Sequence, residues 1–306
     1  MVTAARLIAL DWGSTRLRAF LLGADGAVLA SRQSEHGAST LSGEAAFEQA
    51  FAAIRGDWPA LPVLACGMVG SQHGWREAPY APCPADAAAL AEHALKLSER
   101  FWILPGLMHD GVRPDVMRGE ETQIVGALAL RPELAAQSCL ILPGTHSKWA
   151  RVEAGRVTGF ATHMTGELYA LLRQHSVLAR LMPAEGASAP SSDATPAFVA
   201  GVDAAREGGD ALSHQLFAVR TLGLFKRLPP EQLPDYLSGL LIGHEIAHEL
   251  AAGAPAHLAL VGAPALCERY VQALGRFGLG AGPSAPLQLD NTAPAGLWQL
   301  AQTMGL

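Results

Sequence analysis

The sequence predicts an α/β protein with two domains, and three observations support this prediction. The chain has 306 residues, which is more than a single hydrophobic core usually organises. Of these residues, 50% are hydrophobic and 16% are charged, as is typical of a well-buried globular protein. A strand-and-turn pattern begins near residue 1 and again near residue 138, and such a repeat indicates two related domains. We therefore expect domains at 1–132 and 133–306.

Each copy of the repeat reads as a strand, a glycine-containing turn, a strand, a tight turn and a third strand. The first turn is Asp11-Trp12-Gly13-Ser14-Thr15-Arg16, and the second is Pro143-Gly144-Thr145-His146-Ser147-Lys148. Glycine lets the backbone approach a ligand closely, and successive turn amides with neighbouring hydroxyls can bind an anion. An ordinary hairpin connection explains either turn alone equally well. Two such turns, one of them carrying an acid, favour the polyphosphate of a nucleotide.

Between the two turns, hydrophobic periodicity predicts alternating helices and strands. Helices are expected at 44–55, 86–97 and 124–130, strands at 63–66 and 101–104, and a loop at 105–118. The loop 67–75, which contains Gln72 and His73, follows one of these strands. Ligands of doubly wound sheets bind beyond the carboxyl ends of the strands, so this loop is a candidate substrate site. A histidine that packs or caps a turn is the alternative explanation for His73.

Two adjacent acids, Glu120 and Glu121, follow Gly119 at the expected start of a helix. The positive end of the helix dipole favours acids at this position and accounts for one of the two. The other acid is a candidate general base, because a carboxylate can accept a proton from a reacting hydroxyl group.

The second half of the chain is mainly helical in pattern. Thr165 is a candidate N-cap for a helix that continues to residue 182, and the small polar stretch 183–192 predicts a mobile loop. Helical patterns are expected over 197–253, a strand over 257–261, and further helices up to residue 277 and over 295–300. Arg220 lies within one of these helical segments, and its guanidinium could form a bidentate pair with a carboxylate. An arginine lying along the helix surface is the alternative.

Charge and cysteine content exclude several classes of protein. The net charge of −6 argues against nucleic acid or an anionic membrane as a partner. The four cysteines form no CxxC pair and are expected to be reduced core residues. We find neither the pattern of a secretory signal nor an apolar run long enough to span a membrane, so we expect a soluble cytoplasmic protein.

Taken in order, four motifs resemble those of the sugar kinases in the actin/hexokinase/Hsp70 superfamily, and most closely the 2-dehydro-3-deoxygalactonokinase family. They are the two turns, the Gly119-Glu120-Glu121 run and Leu260-Val261-Gly262-Ala263. The resemblance implies a ribonuclease-H-like core in each domain and ATP in the cleft between them. It further implies transfer of a phosphoryl group to the primary hydroxyl of 2-dehydro-3-deoxygalactonate.

The resemblance also implies roles for individual residues. Asp11 would hold Mg²⁺ through water, and Glu120 would be the catalytic base, although Glu121 stands beside it. Gln72 and His73 would contact the sugar acid, with Arg220 a candidate for its carboxylate. The phosphates of ATP would be bound by Gly13, Ser14, Thr15, Arg16, Gly144, Thr145, His146, Ser147 and Lys148, with Gly262 and Ala263 near adenosine.

Three alternatives remain open at this point. The run His244-Glu245-Ile246-Ala247-His248 matches the HExxH pattern of zinc hydrolases, with Glu268 at a spacing suited to a third ligand. A phosphohydrolase or nucleotide-binding scaffold could use the same fold, since a fold does not dictate function. A kinase for another sugar or sugar acid would carry the same motifs. The sequence also leaves a homodimer open as the assembly.

Overall fold

The computed structural model describes residues 4–184, 196–208, 211–251, 253–280 and 285–306. The chain divides into two compact units. The first unit comprises 1–137, 150–160 and 291–306, and the second comprises 138–149 and 161–290.

Both units of the chain contain strands and helices. Up to residue 130 the elements are β1 (Ala5–Trp12), β2 (Leu17–Gly23), β3 (Val28–Ser34), α1 (Glu44–Arg55), β4 (Val63–Gly67), β5 (Tyr80–Pro82), α2 (Ala87–Glu92), β6 (Leu95–Ser98), β7 (Phe101–Ile103), β8 (Gly106–His109), β9 (Asp115–Met117) and α3 (Glu120–Leu130). From residue 137 they are β10 (Gln137–Leu142), β11 (Ser147–Glu153), β12 (Arg156–His163), α4 (Thr165–His175), α5 (Pro196–Glu207), α6 (Leu212–Leu224), α7 (Leu233–Leu250), β13 (Leu258–Val261), α8 (Pro264–Arg276), β14 (Leu287–Leu289) and α9 (Ala293–Met304).

The two main sheets have the same strand order, which confirms the predicted duplication. The first sheet runs β3-β2-β1-β4-β7-β6, and the second runs β12-β11-β10-β13-β14. In the first sheet β1, β2 and β3 are antiparallel, whereas β4 and β7 continue parallel to β1. Three meandering strands followed by two parallel strands are the arrangement of the ribonuclease-H-like fold, with β6 as an added edge strand. The structure therefore confirms the α/β class and the actin/hexokinase type of domain.

Three predicted elements between residues 86 and 182 are wrong in extent. The helix expected at 86–97 ends at Glu92, because Leu95–Ser98 pairs as a strand with β7. The loop expected at 105–118 contains β8 and β9, which form a three-stranded sheet with β5. The helix expected to reach residue 182 ends at His175. The predicted loop at 183–192 lies outside the described residues except for 183 and 184.

The C-terminal helix α9 belongs to the first unit, unlike the division expected at 132/133. It packs against α3 at a pair of glycines that face each other. A Cβ atom on Gly296 would lie 1.9 Å from the carbonyl oxygen of Thr122, and one on Gly126 would lie 2.0 Å from that of Thr292. The Thr292 hydroxyl also donates to the Gln123 carbonyl at 2.7 Å. The two helices are therefore in backbone contact, which only glycine permits.

We expect Gly296→Ala to destabilise the protein, because its methyl group has no space between α3 and α9. Overpacking of this kind costs about 1–3 kcal/mol or more in the free energy of unfolding. Urea unfolding of the variant and the wild type measures the difference. Gln299→Ala, an exposed change on the same helix, is the control and should leave the free energy of unfolding nearly unchanged. Equal stability of Gly296→Ala and the wild type would show that the helices do not pack in this way.

Candidate active site

The first turn places Asp11 beside a cation at the end of β1. The Gly13 N–H donates to the Arg16 carbonyl at 2.9 Å and closes the turn. Asp11 is opposite Arg18 in the β1–β2 register, and the Arg18 guanidinium forms an ion pair with its carboxylate. Asp11 is buried, and this burial raises the pKa of its carboxyl, while the Arg18 charge partly offsets the rise. Ser14, Thr15 and Arg16 are exposed on the turn itself.

Two glycines bring the start of α3 against the carboxyl ends of β1 and β4. Gly67 has φ +91°, and a Cβ atom there would lie 2.8 Å from the Trp12 carbonyl oxygen. Gly119 has φ +109°, and its Cβ atom would lie 3.3 Å from the Cα of Gly67. Residues with a side chain rarely adopt such positive φ values, so both positions require glycine. The close approach places the two acids of α3 near the strand end that carries Asp11.

The two acids of α3 lie in different environments. Glu121 is 1% exposed, and its carboxylate accepts from the Gly119 N–H at 2.7 Å and from the Thr122 hydroxyl at 3.1 Å. Burial, together with the Glu120 charge, raises the pKa of Glu121 to about 8. Glu120 is only partly buried, and its carboxylate accepts from the Arg118 N–H at 3.1 Å. Glu121 is therefore a core acid, and Glu120 is the more accessible of the two.

The raised pKa of Glu121 predicts a pH-dependent stability. Between its ordinary value of 4.5 and about 8, the folded protein keeps a proton that the unfolded chain releases. This acid therefore makes the folded state less stable as the pH rises through that window, by on the order of 1.4 kcal/mol per unit of pKa shift. Glu121→Gln has no such proton, so it should gain stability relative to the wild type as the pH rises.

Thermal unfolding at about pH 5 and about pH 8 tests this expectation. The Tm of Glu121→Gln relative to that of the wild type should be higher at about pH 8 than at about pH 5. Glu99→Gln, which changes an exposed acid, is the control and should show the same difference at both pH values. A pH-independent difference for Glu121→Gln would mean that this carboxyl titrates normally in the folded protein.

The predicted substrate loop after β4 has an exposed tip and a partly buried aromatic anchor. Gln72 and His73 are exposed, as a ligand-contacting pair requires. Trp75, at the end of the loop, packs against Trp12, Phe47 and Phe101 with ring centroids 5.1–6.0 Å apart. This aromatic cluster holds the loop onto the core that also supports Asp11.

The second turn repeats the backbone arrangement of the first. A glycine that follows the third strand supports each turn: a Cβ atom on Gly37 would lie 2.2 Å from the Ser14 carbonyl oxygen, and one on Gly166 would lie 2.5 Å from that of Gly144. In the second copy the Glu167 N–H also donates to the Thr145 carbonyl at 3.0 Å. A Cβ atom on Gly144 would meet nothing within 4 Å, so the turn is open at this glycine. Sequence reasoning missed both supporting glycines, although their similar positions after the third strand were available as a signal.

The side chains of the second turn divide into exposed and buried groups. Thr145 and His146 are exposed, and His146 Nε2 is hydrogen-bonded to the Glu167 carboxylate. Lys148 is buried, and its ammonium group donates to the His146 carbonyl at 3.2 Å. Ser147 is fully buried and donates its hydroxyl to Glu245 at 2.7 Å. The predicted role of Ser147 as a hydroxyl donor to phosphate therefore does not fit, because this hydroxyl points into the core.

A cavity of about 280 Å³ lies beside the second turn within the second unit. Its walls come from the turn, α4, α7 and α8, and they are mostly apolar. Gly144, Gly166, Tyr169, Leu241, Leu266 and Tyr270 are among the lining residues. Gly262 and Ala263, which precede α8, are not among the lining residues. Arg220 is not a lining residue either, and its guanidinium donates to the Val177 carbonyl at 3.0 Å.

The HExxH segment on α7 does not form a zinc site. His244 is hydrogen-bonded to Gln215, and His248 contacts the ring of His163. Glu268 is exposed, and Glu245 is occupied by four hydrogen-bond donors. In the described part of the chain, no three His, Cys, Asp or Glu side chains are grouped closely enough to hold a metal ion. The zinc-hydrolase alternative thus lacks a ligand set among these residues.

Comparison with known proteins identifies the family. A family model described as 2-keto-3-deoxy-galactonokinase matches residues 11–300, which is nearly the whole chain. The chain belongs to this family. It is 41% identical over 279 residues to the 2-dehydro-3-deoxygalactonokinase of Escherichia coli K12, covering 90% of this chain and 91% of that protein.

Solved structures agree with the galactonokinase family and its fold. A crystal structure from Sinorhizobium meliloti, assigned to a 2-dehydro-3-deoxygalactonokinase, has a TM-score of 0.87 at 36% identity, covering 97% of this chain and 98% of that one. Component A of the (R)-2-hydroxyglutaryl-CoA dehydratase of Acidaminococcus fermentans has a TM-score of 0.51 at 14% identity, covering 98% and 99% of the two chains. The second similarity concerns the fold alone.

Among the described residues, no helix has the length and hydropathy needed to cross a membrane.

Proposed function

We propose that this protein transfers the γ-phosphoryl group of ATP to the primary hydroxyl of 2-dehydro-3-deoxygalactonate, forming the 6-phosphate. Membership of the galactonokinase family supports the reaction and the acceptor. The observation that carries the proposal is the apolar cavity beside the second turn, because Gly144 belongs to both. A nucleotide needs this combination of an anion-binding turn and an adjoining apolar pocket.

In this proposal the nucleoside occupies the cavity and the phosphates lie along the second turn. Tyr169 and Leu266 offer apolar surfaces to the base, and the Arg269–Asp235 ion pair, at 2.9 Å, supplies polar groups to the same cavity. Thr145 and His146 are the exposed side chains available to phosphate oxygens. Gly262 and Ala263 would then act only through α8, since Leu266 and Tyr270 of that helix line the cavity.

Asp11 is the proposed ligand of Mg²⁺, acting through water. A single carboxylate suits this ion, which keeps several of its waters and takes further oxygens from phosphates. The ion pair with Arg18 uses one of its two carboxylate oxygens, and the exposed Ser14, Thr15 and Arg16 follow Asp11 in the first turn. When bound with the nucleotide, Mg²⁺ neutralises phosphate charge that would otherwise repel the acceptor oxygen.

Glu120 is the proposed general base for the acceptor hydroxyl. A base must be ionised and able to reach its substrate, and Glu120 is the more exposed of the two acids on α3. Glu121 is unsuitable because it is buried and its pKa of about 8 keeps it protonated at neutral pH. Gln72 and His73 are proposed to orient the sugar acid from the exposed tip of the loop after β4, and Arg220 stays a prediction for its carboxylate.

The test is ADP formation from ATP and Mg²⁺ in the presence of a panel of sugar acids. We expect turnover that depends on the acceptor and is highest with 2-dehydro-3-deoxygalactonate, and much slower with the gluconate epimer and with neutral sugars. The product should carry phosphate on its primary carbon, which ³¹P and ¹³C NMR identify. Phosphate release without any acceptor would instead indicate a phosphohydrolase, and no acceptor-dependent ADP across the panel would refute the proposal.

A further inference from the structure

The glutamate of the HExxH segment is the centre of a buried hydrogen-bond cluster. Glu245 lies on α7 and is 3% exposed. Its Oε1 accepts from the Ser147 hydroxyl and from the Trp149 indole N–H, both at 2.7 Å. Its Oε2 accepts from the Tyr270 hydroxyl at 2.8 Å and from the Thr165 hydroxyl. A carboxylate has about four acceptor positions, so these donors satisfy both oxygens.

The four donors belong to the two parts of the proposed nucleotide site. Ser147 and Trp149 lie on β11, the strand whose first two residues complete the second turn. Thr165 and Tyr270 line the cavity from α4 and α8. One carboxylate oxygen therefore holds the strand that follows the turn, and the other holds two walls of the cavity. Glu245 itself does not line the cavity, so it can act on a ligand only through these partners.

Stability alone does not explain a charged group at this position. Burying a carboxylate costs free energy, and well-packed apolar side chains often replace buried charges without loss of stability. Charge-assisted hydrogen bonds have defined geometry, and they suit a residue that holds several groups at fixed separations. A glutamate with four donors from the turn and the cavity therefore indicates a positioning role.

We propose that Glu245 is a positioning residue for ATP, setting the second turn against the cavity so that phosphates and nucleoside are bound together. This inference rests on the proposed placement of the nucleotide. It also gives a function to the glutamate of the HExxH segment, which is a hydrogen-bond acceptor for the nucleotide site rather than the base of a zinc hydrolase.

Glu245→Gln tests the proposal with little change in side-chain volume. Glutamine keeps one acceptor oxygen and replaces the other with an NH₂ donor, so it cannot accept from both pairs of partners. We expect the KM for ATP and the Kd of Mg²⁺-ADP to rise about tenfold, with kcat changed less than about threefold. Calorimetric titration with Mg²⁺-ADP measures the Kd, and initial rates with saturating acceptor measure KM and kcat.

Glu249→Gln is the matched control, since Glu249 is a second acid on α7, with a side chain that is only 5% exposed. Its carboxylate is hydrogen-bonded to His163 Nε2 at 3.0 Å, away from the turn and the cavity lining. The control can lower the Tm as Glu245→Gln does, but it should leave both nucleotide constants near wild type. Ser147→Ala is the second variant: it removes one donor to Oε1 without touching the cavity and should raise the Kd by a few fold.

The outcomes separate this inference from the proposed function. A wild-type protein that binds no nucleotide overturns both. A wild-type protein that binds Mg²⁺-ADP, while Glu245→Gln and Ser147→Ala bind it equally well, overturns the positioning role alone. Equal weakening by Glu249→Gln also overturns it, because the loss would then reflect general loosening of α7. If Glu245→Gln does not fold, Ser147→Ala decides between these outcomes.

Discussion

Asp11→Asn is expected to lower kcat by roughly 100-fold or more while leaving the fold intact, because a metal held against phosphate charge contributes several kcal/mol to the transition state. Asparagine keeps an oxygen that accepts from Arg18, so the β1–β2 pairing is preserved. Burial raises the pKa of the Asp11 carboxyl, which means that its ionised form is costly in the folded protein. Removing that charge should therefore leave the Tm unchanged or slightly higher. Steady-state kinetics with ATP and the sugar acid, together with thermal unfolding, measure the two effects.

Asp25→Asn is the control for this prediction. It makes the same chemical change at an exposed position of the neighbouring β2–β3 turn, where the Asp25 carboxylate accepts from the Ala27 N–H at 3.1 Å. Its kcat should match that of the wild type. A kcat close to wild type for Asp11→Asn would remove Asp11 from the active site.

Glu120→Gln is expected to lower kcat by at least about 100-fold with little change in ATP affinity, because general base catalysis contributes typically 10²–10⁴-fold. The acceptor hydroxyl is far too weak an acid to ionise at neutral pH, so it must transfer its proton as the new P–O bond forms. Glutamine occupies the same space as Glu120 but cannot accept the proton. Initial rates with saturating ATP and saturating sugar acid measure the loss.

The neighbouring acid provides the matched comparison, and Glu121→Gln should lose less than about tenfold in kcat. Glu121 is buried against Gly119 and Thr122, so it acts on the helix start rather than on the acceptor. If Glu121→Gln shows the larger loss, the base is Glu121 and our assignment is displaced by one residue. If both variants keep their activity, neither acid of α3 is the base.

The repeated turn could be predicted from the sequence because all of its determinants are local. Each copy contains alternating apolar residues, a glycine beside hydroxyl groups and a second tight turn, all within about thirty residues. Tight turns between such short strands favour antiparallel pairing. The helix at 44–55 was predicted correctly for the same reason, since Phe47, Phe51 and Ile54 share one face. The ordered motifs also indicated the galactonokinase family, which the family match confirms.

Short elements could not be predicted because pairing partners, not local preference, determine them. Leu95 and Leu97 fit a helix as well as a strand, and only β7 beside them makes Leu95–Ser98 a strand. The difference between Glu120 and Glu121 was equally hidden. Both acids start the same helix, but the approach of Gly67 and Gly119 buries one of them and leaves the other more accessible.

The sequence by itself determined the duplicated strand-and-turn pattern, the two turns and the family, since each of the motifs behind them consists of residues close together in the chain. Only the tertiary structure decided where the C-terminal helix belongs, because the contact between Gly126 and Gly296 joins two segments of the first unit that are far apart in the sequence. The same holds for Glu245, whose donors Ser147 and Trp149 lie 98 and 96 residues away. A hydrogen bond between such distant residues leaves no periodicity in the sequence. The HExxH pattern therefore suggested a zinc site, and only the structure shows that four hydrogen-bond donors occupy the Glu245 carboxylate.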